Sequence, residues 1–219
     1  MKKNGFTLAE VLITLAIIGV IATMTLPALM TNTAEQQAKS GLKKGINTLT
    51  EAAQMNNAID GFDYSSFSST STDDTETISM FALLANRAAV DLVKSGVGKH
   101  VQIKDNSSNY TMFFRDGSSL SFKVADTAAE KAWNKDRLDD GLPKGFGAIY
   151  DYNGNKKPNQ LSNCLGETGG MVSSKNDSPN APDVACTKSM RVIKDQFGIR
   201  LRGSYAVPNG AAARWAMEN

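Results

Sequence analysis

Residues 6–30 read FTLAEVLITLAIIGVIATMTLPALM, an apolar run of 25 residues that contains one charged side chain, Glu10. As a helix this run would extend about 37 Å, which exceeds the roughly 30 Å hydrocarbon core of a bilayer. Lys2 and Lys3 precede it, so the positive-inside rule predicts a cytoplasmic N-terminus and export of the remaining chain. The run therefore predicts a single-pass membrane anchor with one exported domain behind it.

A secretory signal peptide is the alternative interpretation of such a segment. It fits poorly, because the leader has only five residues, the apolar run is too long, and no small-x-small cleavage site follows it. The nearest approximation to such a site, TLPAL, contains Pro27. We therefore expect the apolar segment to stay with the protein.

The composition is that of an ordinary globular chain of 219 residues, with 24 basic and 22 acidic side chains. Without Lys2 and Lys3 both counts are 22, a balance that argues against nucleic acid as the main partner. His100 is the only histidine, which argues against His-rich metal sites and a histidine-based catalytic triad. No G-x-S-x-G or phosphate-loop motif occurs, so the sequence predicts a protein that is not an enzyme.

A compact motif surrounds the start of the apolar run: a basic leader followed by Gly5, Phe6, Thr7-Leu8, Glu10, Gly19 and Pro27. This combination resembles the type III signal of type IV prepilins and type II secretion pseudopilins. The resemblance implies that a membrane-embedded prepilin peptidase cleaves between Gly5 and Phe6 and methylates the new N-terminus. It also implies four segments: a cleaved leader (1–5), a membrane-spanning half-helix (6–30), an amphipathic half-helix (31–60) and a globular pilin-like domain (61–219).

Two residues of the motif have implied roles in assembly. In this family, the glutamate that corresponds to Glu10 pairs with the N-terminal amine of a neighbouring subunit, here that of Phe6. A membrane-embedded carboxylate is costly, and the alternative is a protonated glutamate near the membrane surface. Pro27 corresponds to the family's bend or melted stretch in the long helix, whereas by itself it also fits the end of the membrane span.

Helical spacing continues beyond the apolar run. Leu42, Ile46, Leu49 and Ala53 form a stripe at steps of four, three and four residues, so we predict one helix from Phe6 to about Ala58. The stripe is expected to pack on the globular domain. Gly41 and Gly45 weaken the middle of this helix by about 1 kcal/mol each, so local bending is expected there.

The sequence after this helix predicts a loop and a second helix. Residues 60–76, DGFDYSSFSSTSTDDTE, are rich in Ser, Thr and Asp and indicate a surface loop. Residues 77–94 predict a helix with Phe81, Leu84, Ala88 and Leu92 on one face and Gly96 as its stop.

The apolar pattern then changes to period two. Two runs around Asp116-Gly117 predict a β-hairpin, and FGAIYDY (146–152) and RVIKDQFGIRLRG (191–203) predict further strands. Thr127 and Glu130 form a capping box, which predicts a short helix between the hairpin and the strand FGAIYDY. The order of elements predicts an α+β, pilin-like fold in which the long N-terminal helix packs on a C-terminal antiparallel sheet with a helical insert.

Two candidate sites lie in the C-terminal half. Asp151, Asn153 and Asn155 alternate like the first ligands of a calcium loop, but the glycine spacing and a missing bidentate glutamate favour an Asn-Gly turn. No other cofactor is predicted. Cys164 and Cys186 bracket a Gly/Ser/Pro/Asn-rich loop, and an even cysteine count beside an export-type segment favours a disulfide over two free thiols.

A basic strand is the last candidate. Arg200 and Arg202 are expected to share a strand face, with Lys188, Arg191 and Lys194 upstream. DNA uptake is one use of such a stripe. The neutral overall charge and the few nearby aromatic residues favour a solvated sheet face instead.

The sequence thus predicts a structural subunit of a type IV pilus or type II secretion pseudopilus. Its expected partners are other subunits of the filament, the prepilin peptidase and an inner-membrane assembly platform, with the C-terminal domain in the periplasm. A mature length of 214 residues (219 minus 5) favours a minor pilin or pseudopilin over a major pilin. The alternative is a membrane-anchored binding module, for a surface ligand or DNA, that uses the stem only as an anchor.

Overall fold

A computed structural model describes residues 7–66, 80–85, 87–91, 101–102, 109–123, 145–154, 156–164, 186–187, 189 and 191–218. Contacts divide the chain into two compact units, Met1–Gln37 and Ala38–Asn219. The predicted helix at Thr127 and Glu130, and the loop between the two cysteines, lie outside the described residues.

Helix α1 extends from Leu8 to Asp60 and includes Pro27 in its interior. The helix therefore continues well past the apolar run, whereas the interpretation of Pro27 as the end of the membrane span stays a prediction. The predicted stripe is confirmed, because Leu42, Ile46, Leu49 and Ala53 are all buried. Burial along α1 begins at Ala38, where the helix enters the second unit.

Within the part of the chain that the structure describes, a six-stranded antiparallel sheet forms the body of the second unit, with the strand order β1-β2-β3-β4-β7-β8. A separate two-stranded antiparallel ribbon consists of β5 and β6. The strands are β1 (Val101–Gln102), β2 (Asn109–Phe113), β3 (Ser119–Lys123), β4 (Phe146–Asp151), β5 (Asn163–Cys164), β6 (Arg191–Val192), β7 (Gln196–Arg202) and β8 (Tyr205–Pro208).

The predicted hairpin and strands are confirmed. β2 and β3 pair from Asn109↔Lys123 to Phe113↔Ser119, and the turn between them contains Asp116 and Gly117. Gly117 has a φ of 91°, which favours glycine at this turn. The fold is α+β, as the order of the predicted elements indicated.

Alternate residues of the central strands form the main core together with the α1 stripe. Residues two apart on a strand point to the same face, so each strand contributes every second side chain to this core. The buried residues from the sheet include Leu120, Phe122, Phe146, Ala148, Tyr150, Phe197, Ile199 and Leu201.

Two glycines of α1 lie directly against tyrosines at the end of β4. A Cβ atom added to Gly41 would lie 2.6 Å from Tyr152 Cβ, and one added to Gly45 would overlap the ring of Tyr150. Such separations are far shorter than van der Waals contact, so any side chain here would displace the ring. The glycines that the sequence indicated as weak points of the helix are therefore positions of close helix–sheet packing.

Two predictions for the segment after α1 are wrong in part. Tyr64 is only 2% exposed and belongs to a 3-10 helix, Tyr64–Ser66, within the predicted surface loop. Its hydroxyl donates a hydrogen bond to Leu49 O at 2.8 Å, and burial raises the pKa of its phenol above the ordinary value. Burial of this aromatic ring, with its hydroxyl bonded to a carbonyl of α1, therefore places Tyr64 in the core although the residues around it are polar.

The second helix ends earlier than predicted, and residues 77–79 and 92–94 of the predicted span lie outside the described residues. Helix α2 covers Met80–Ala85, and Val90 instead forms a β-bridge with Phe114 at the edge of the hairpin. Leu84 and Ala88 are buried as expected, so the apolar spacing identified core residues but not their conformation. Backbone pairing with the hairpin replaces the last turns of the predicted helix, with the amide of Asp91 donating to Phe113 O at 2.7 Å.

A C-terminal helix, α3 (Ala211–Glu218), was absent from the sequence predictions. Its four buried alanines pack closely against the rest of the unit (Ala211, Ala212, Ala213 and Ala216). The ring of Trp215 lies between two cations: Lys39 Nζ is 3.9 Å and Arg191 Cζ is 3.8 Å from its centroid. Cation–π contacts with α1 and β6 therefore hold α3 in place.

We expect Gly45→Ala to lower the free energy of unfolding by about 1–3 kcal/mol, although alanine favours helices over glycine by about 1 kcal/mol. The reason is that the new methyl group overlaps the buried ring of Tyr150. Urea denaturation of the detergent-solubilised protein measures the change. Asn47→Ala, at an exposed position half a turn away, is the control and should change stability by less than about 0.5 kcal/mol. A Gly45→Ala variant as stable as this control would contradict the packing argument.

Candidate processing and assembly segment

The helix start contains a capping box formed by Thr7 and Glu10. Glu10 Oε2 accepts hydrogen bonds from Thr7 N at 2.8 Å and from Thr7 Oγ1 at 2.7 Å. In return, the amide of Glu10 donates to Thr7 Oγ1 at 3.3 Å. This reciprocal pattern satisfies backbone N–H groups that the first turn of a helix leaves without partners.

The capping box gives Glu10 a hydrogen-bonding role within its own helix, in addition to any role between subunits. The T-x-x-E spacing of Thr7 and Glu10 is a sequence signature of this arrangement, so Thr7 is a functional residue that the sequence could have identified. Gly5 and Phe6, the predicted processing residues, lie outside the described residues.

The apolar half of α1 exposes its large side chains around the whole helix. Among the described residues, α1 is the one helix that is long and apolar enough to cross a membrane, with a mean hydropathy of 2.3 over its most apolar window. The exposed fractions of its large apolar side chains range from 45% at Val11 to 81% at Leu8. A helix that is apolar on all sides and buried on none fits a lipid environment.

Threonines within this half form hydrogen bonds to their own helix. The hydroxyl of Thr14 donates to Val11 O at 2.9 Å, and that of Thr23 donates to Val20 O at 2.9 Å. Thr25 donates to Ile21 O at 3.0 Å in the same way. Each hydroxyl therefore has an acceptor without needing water, which lowers the cost of placing it in hydrocarbon.

Pro27 lies inside the helix, where it removes one backbone donor. The hydroxyl of Thr31, one turn later, donates to the carbonyl oxygen of Pro27 at 3.3 Å. The helix continues on both sides of Pro27, so the proline does not melt α1 in this structure.

Comparison with protein families gives one finding at this segment: a model of the prokaryotic N-terminal methylation motif matches residues 1–26. The chain carries a prepilin-type cleavage and methylation signal. Comparisons with curated proteins and with solved structures gave no match. The prepilin signal points to a substrate of prepilin peptidase and to a structural subunit, and together with the apolar helix it indicates membrane anchoring.

The disulfide predicted for the C-terminal region is present. Cys164, on β5, is bonded to Cys186, and their Cα atoms are 5.7 Å apart. Cys164 packs in a small cluster with Ala211 and Ala212 of α3. The disulfide therefore closes its loop beside the N-terminal end of α3.

The structure places Asp151 and Asn153 in a turn after β4. Asp151 Oδ1 accepts a hydrogen bond from Asn153 N at 3.0 Å, and its Oδ2 accepts one from Gln196 Nε2 at 3.1 Å. Gly154 follows with a φ of 66°. These contacts favour the turn interpretation over the calcium loop. Among the described residues the next strand after β4 begins at Asn163, so the turn is not that of a two-residue hairpin.

A second carboxylate, Asp195, supports the same turn and was not identified from the sequence. It is 2% exposed and accepts hydrogen bonds from the amides of Asn159 at 2.6 Å and Gln160 at 2.8 Å. Among the described residues, no group of three or more His, Cys, Asp or Glu side chains is placed to hold a metal ion. Asn155 lies outside the described residues, and the calcium interpretation stays a prediction.

The prediction that Arg200 and Arg202 lie on a solvated face of the sheet is wrong. Arg200 and Arg202 are each only 6% exposed, and both have interaction partners within the chain. β7 lies between β4 and β8 and is buried along nearly its whole length, so the alternating pattern does not mark a solvent-facing side. The two arginines therefore do not form an exposed stripe for DNA.

The charge of Asp151 predicts a pH dependence of stability. Burial, together with the nearby Asp195 carboxylate, raises the pKa of Asp151 from 3.8 to about 6, against the hydrogen bonds from Gln196 and Asn153. The folded state then binds more protons than the unfolded state between these two values. The free energy of unfolding should fall as pH rises from about 4 to about 6, by at most about 3 kcal/mol, and stay level above that.

Urea denaturation across this pH range measures the fall, and Asp151→Asn should flatten it because the side chain no longer ionises. Asp116→Asn is the matched control. Partial burial of Asp116 is outweighed by hydrogen bonds from Lys44 and Ser118, so its pKa is lowered and its contribution is lost only as pH falls below about 4. A fall between pH 4 and 6 that persists in Asp151→Asn would show that another group is responsible.

Proposed function

We propose that this chain is a structural subunit of a type IV pilus or a type II secretion pseudopilus. The observation that carries the proposal is the prepilin-type signal at residues 1–26. The continuous helix α1 and the antiparallel sheet behind it support the proposal, because they give the chain a membrane stem and a compact exported domain.

Processing removes residues 1–5 and leaves Phe6 as the N-terminal, N-methylated residue. The peptidase acts at the cytoplasmic side of the inner membrane, where the positive charges of Lys2 and Lys3 hold the leader. The stem then spans the inner membrane once, and residues 61–219 form the periplasmic domain. An inner-membrane assembly platform moves processed subunits into the filament.

Glu10 has two roles in this proposal. In the membrane, Thr7 satisfies its carboxylate through the capping box. In the filament, the positive α-amino group of Phe6 from a neighbouring subunit approaches the same carboxylate. A charge pair in a low-dielectric bundle is strong only when both partners are present, so the pair selects a register between subunits.

Mass spectrometry of the protein from its own cells tests the processing step. We expect a chain that begins at N-methylated Phe6 and lacks the five-residue leader. Gly5→Val should block cleavage, because a branched side chain is placed where the protease needs a small residue in an extended backbone. Gly19→Ala, where an added Cβ has open space, should be processed normally. A natural chain that keeps Met1 in cells containing the peptidase would contradict the proposal.

Two substitutions at Glu10 separate its charge from its cap. Glu10→Ala removes both, whereas Glu10→Gln keeps an acceptor for Thr7 N and loses only the charge. We expect both variants to insert into the membrane and to lose filaments at least about tenfold, because each lacks the charge partner for the Phe6 amine. Membrane fractionation and the yield of sheared filaments, or of secreted protein, are the measurements.

Normal assembly by Glu10→Gln together with failure of Glu10→Ala would assign the function of Glu10 to the capping box alone. Normal assembly by both variants would contradict the pairing. That result would favour the alternative hypothesis of a membrane-anchored binding module, in which the stem only anchors a binding domain.

A further inference from the structure

A cavity lies between α1 and the β2–β3 hairpin. Its volume is about 160 Å³, and its mainly apolar walls are formed by Gly45, Thr48, Leu49, Ala89, Phe114 and Tyr150. An apolar cavity of about 150 Å³ is large enough to bind benzene, so this one has room for a single aromatic ring. We refer to this cavity as the pocket.

The pocket has polar groups as well as apolar walls. Lys44 Nζ and Asp116 Oδ2 form an ion pair at 2.7 Å, and because the Lys44 side chain is 63% exposed this pair lies at the mouth. Ser118, which is only 2% exposed, lies deeper, and its hydroxyl donates to Asp116 Oδ1 at 2.6 Å. An apolar site with a cation at its mouth and a hydroxyl further in favours an aromatic side chain with a polar tip.

Four large apolar side chains are exposed among the described residues beyond the membrane-spanning half: Met55, Ile59, Val192 and Tyr205. Two of them, Met55 and Ile59, lie on the same flank of α1 as the pocket, because Met55 is only about 20° from Thr48 around the helix axis. A neighbour that bound them would cover the pocket as well. Val192 is a branched side chain without a polar group. Tyr205, which is 43% exposed, is the aromatic member of the set.

Tyr205 lies on the side of the second unit opposite to the pocket. It belongs to β8, the last strand of the sheet, and β8 is three strand spacings, about 14 Å, from β3 of the hairpin. Thr50 of α1 approaches this strand, since its hydroxyl accepts a hydrogen bond from Ala206 N at 3.1 Å. Thr50 and Thr48 are about 160° apart around the helix, so β8 and the pocket flank α1 on opposite sides.

The side chain of Tyr205 also points away from α1. Ala206 is buried in the core that contains the α1 stripe. Successive side chains of a strand point to opposite faces of a sheet, so Tyr205 projects from the other face. The ring is therefore out of reach of the pocket of its own chain and open to a neighbouring molecule.

We propose that the pocket receives the ring of Tyr205 from a second copy of this chain, an inference that rests on the filament function proposed above. The ring packs against Phe114 and Tyr150, which supply aromatic walls. The Lys44 ammonium at the mouth lies against the electron-rich face of the ring. The hydroxyl enters first and reaches the buried end of the pocket at Ser118. This insertion removes from water an aromatic side chain of the kind that dominates many protein interfaces.

The opposite directions of the two features decide what kind of assembly the contact produces. A copy that inserts Tyr205 into one neighbour still presents its own pocket on its other side, so a third copy adds beyond the second and does not meet the first. Thr50 marks the level of β8 on α1, whereas the pocket extends from Lys44 to Leu49. With parallel stems each copy is therefore displaced by about one helical turn, roughly 5 Å, along the stem. A heterologous contact with such a displacement does not close into a ring and continues as an open helix.

Substitutions at Tyr205 separate its ring from its hydroxyl. Tyr205→Ala should lower the yield of sheared filaments at least about tenfold, because it removes the group that fills the pocket. Tyr205→Phe keeps the ring and should lower the yield at most about threefold. Val192→Ala, at a comparably exposed position, is the control and should match the natural chain. All three variants should reach the membrane at the natural level. A Tyr205→Ala yield equal to that of Val192→Ala would overturn the inference.

A photo-cross-linker locates the contact directly. p-Azidophenylalanine at position 205, in protein produced in its own cells, keeps an aromatic ring of similar size. Irradiation of sheared filaments should give a ladder of covalent species, and mass spectrometry should map the adducts of residue 205 to residues 44–49 or 114–118 of a second chain. The same probe at position 192 is the control and should give no adducts with these residues. If the probe at 205 prevents assembly, the reciprocal probe at Ala89, on the exposed wall of the pocket, should attach to residues 203–207.

Filaments without adducts in the pocket would overturn the inference, as would pocket adducts at an equal level from position 192. Dimers without higher species would indicate a closed contact and also overturn it, and so would a cross-link to a different protein. Absence of filaments from the natural chain would instead contradict the proposed function itself.

Discussion

The close approach of α1 to the end of β4 is the contact on which the rest of the second unit depends. Tyr152 and Tyr150 lie over Gly41 and Gly45, one helical turn apart, and no larger residue leaves room for both rings. This contact brings the stripe that begins at Leu42 into the core formed by the sheet. The same helix that anchors the chain thus forms one wall of the folded domain.

The two halves of α1 meet opposite demands with the same backbone. Its first half must satisfy every polar group internally, which the capping box at Thr7 and the back-bonded threonines achieve. Its second half is polar on one side and must leave only the core stripe without water contact. Because α1 is continuous from Leu8 to Asp60, a single element meets both demands.

Much of this organisation could be predicted from local patterns. The apolar run, the stripe from Leu42 and the turn at Asp116-Gly117 each depend on neighbours in sequence, so the pattern was sufficient. The wrong predictions concern residues whose burial or pairing is determined by segments distant in sequence. Tyr64 is buried because α1 supplies a carbonyl partner, and Val90 pairs with the hairpin instead of continuing a helix. Arg200 and Arg202 have the alternation of an exposed face, but neighbouring elements cover β7. No local pattern distinguishes these environments.

The disulfide has a consequence for how this chain can vary. Cys164 and Cys186 bring the two ends of residues 165–185 to 5.7 Å between their Cα atoms, beside the buried alanines of α3. The bond therefore keeps the two ends of this interval beside the C-terminal helix, whatever lies between the cysteines. Changes in the length or sequence of that interval therefore leave this covalent tie in place, so the interval can vary without separating Cys186 from β5.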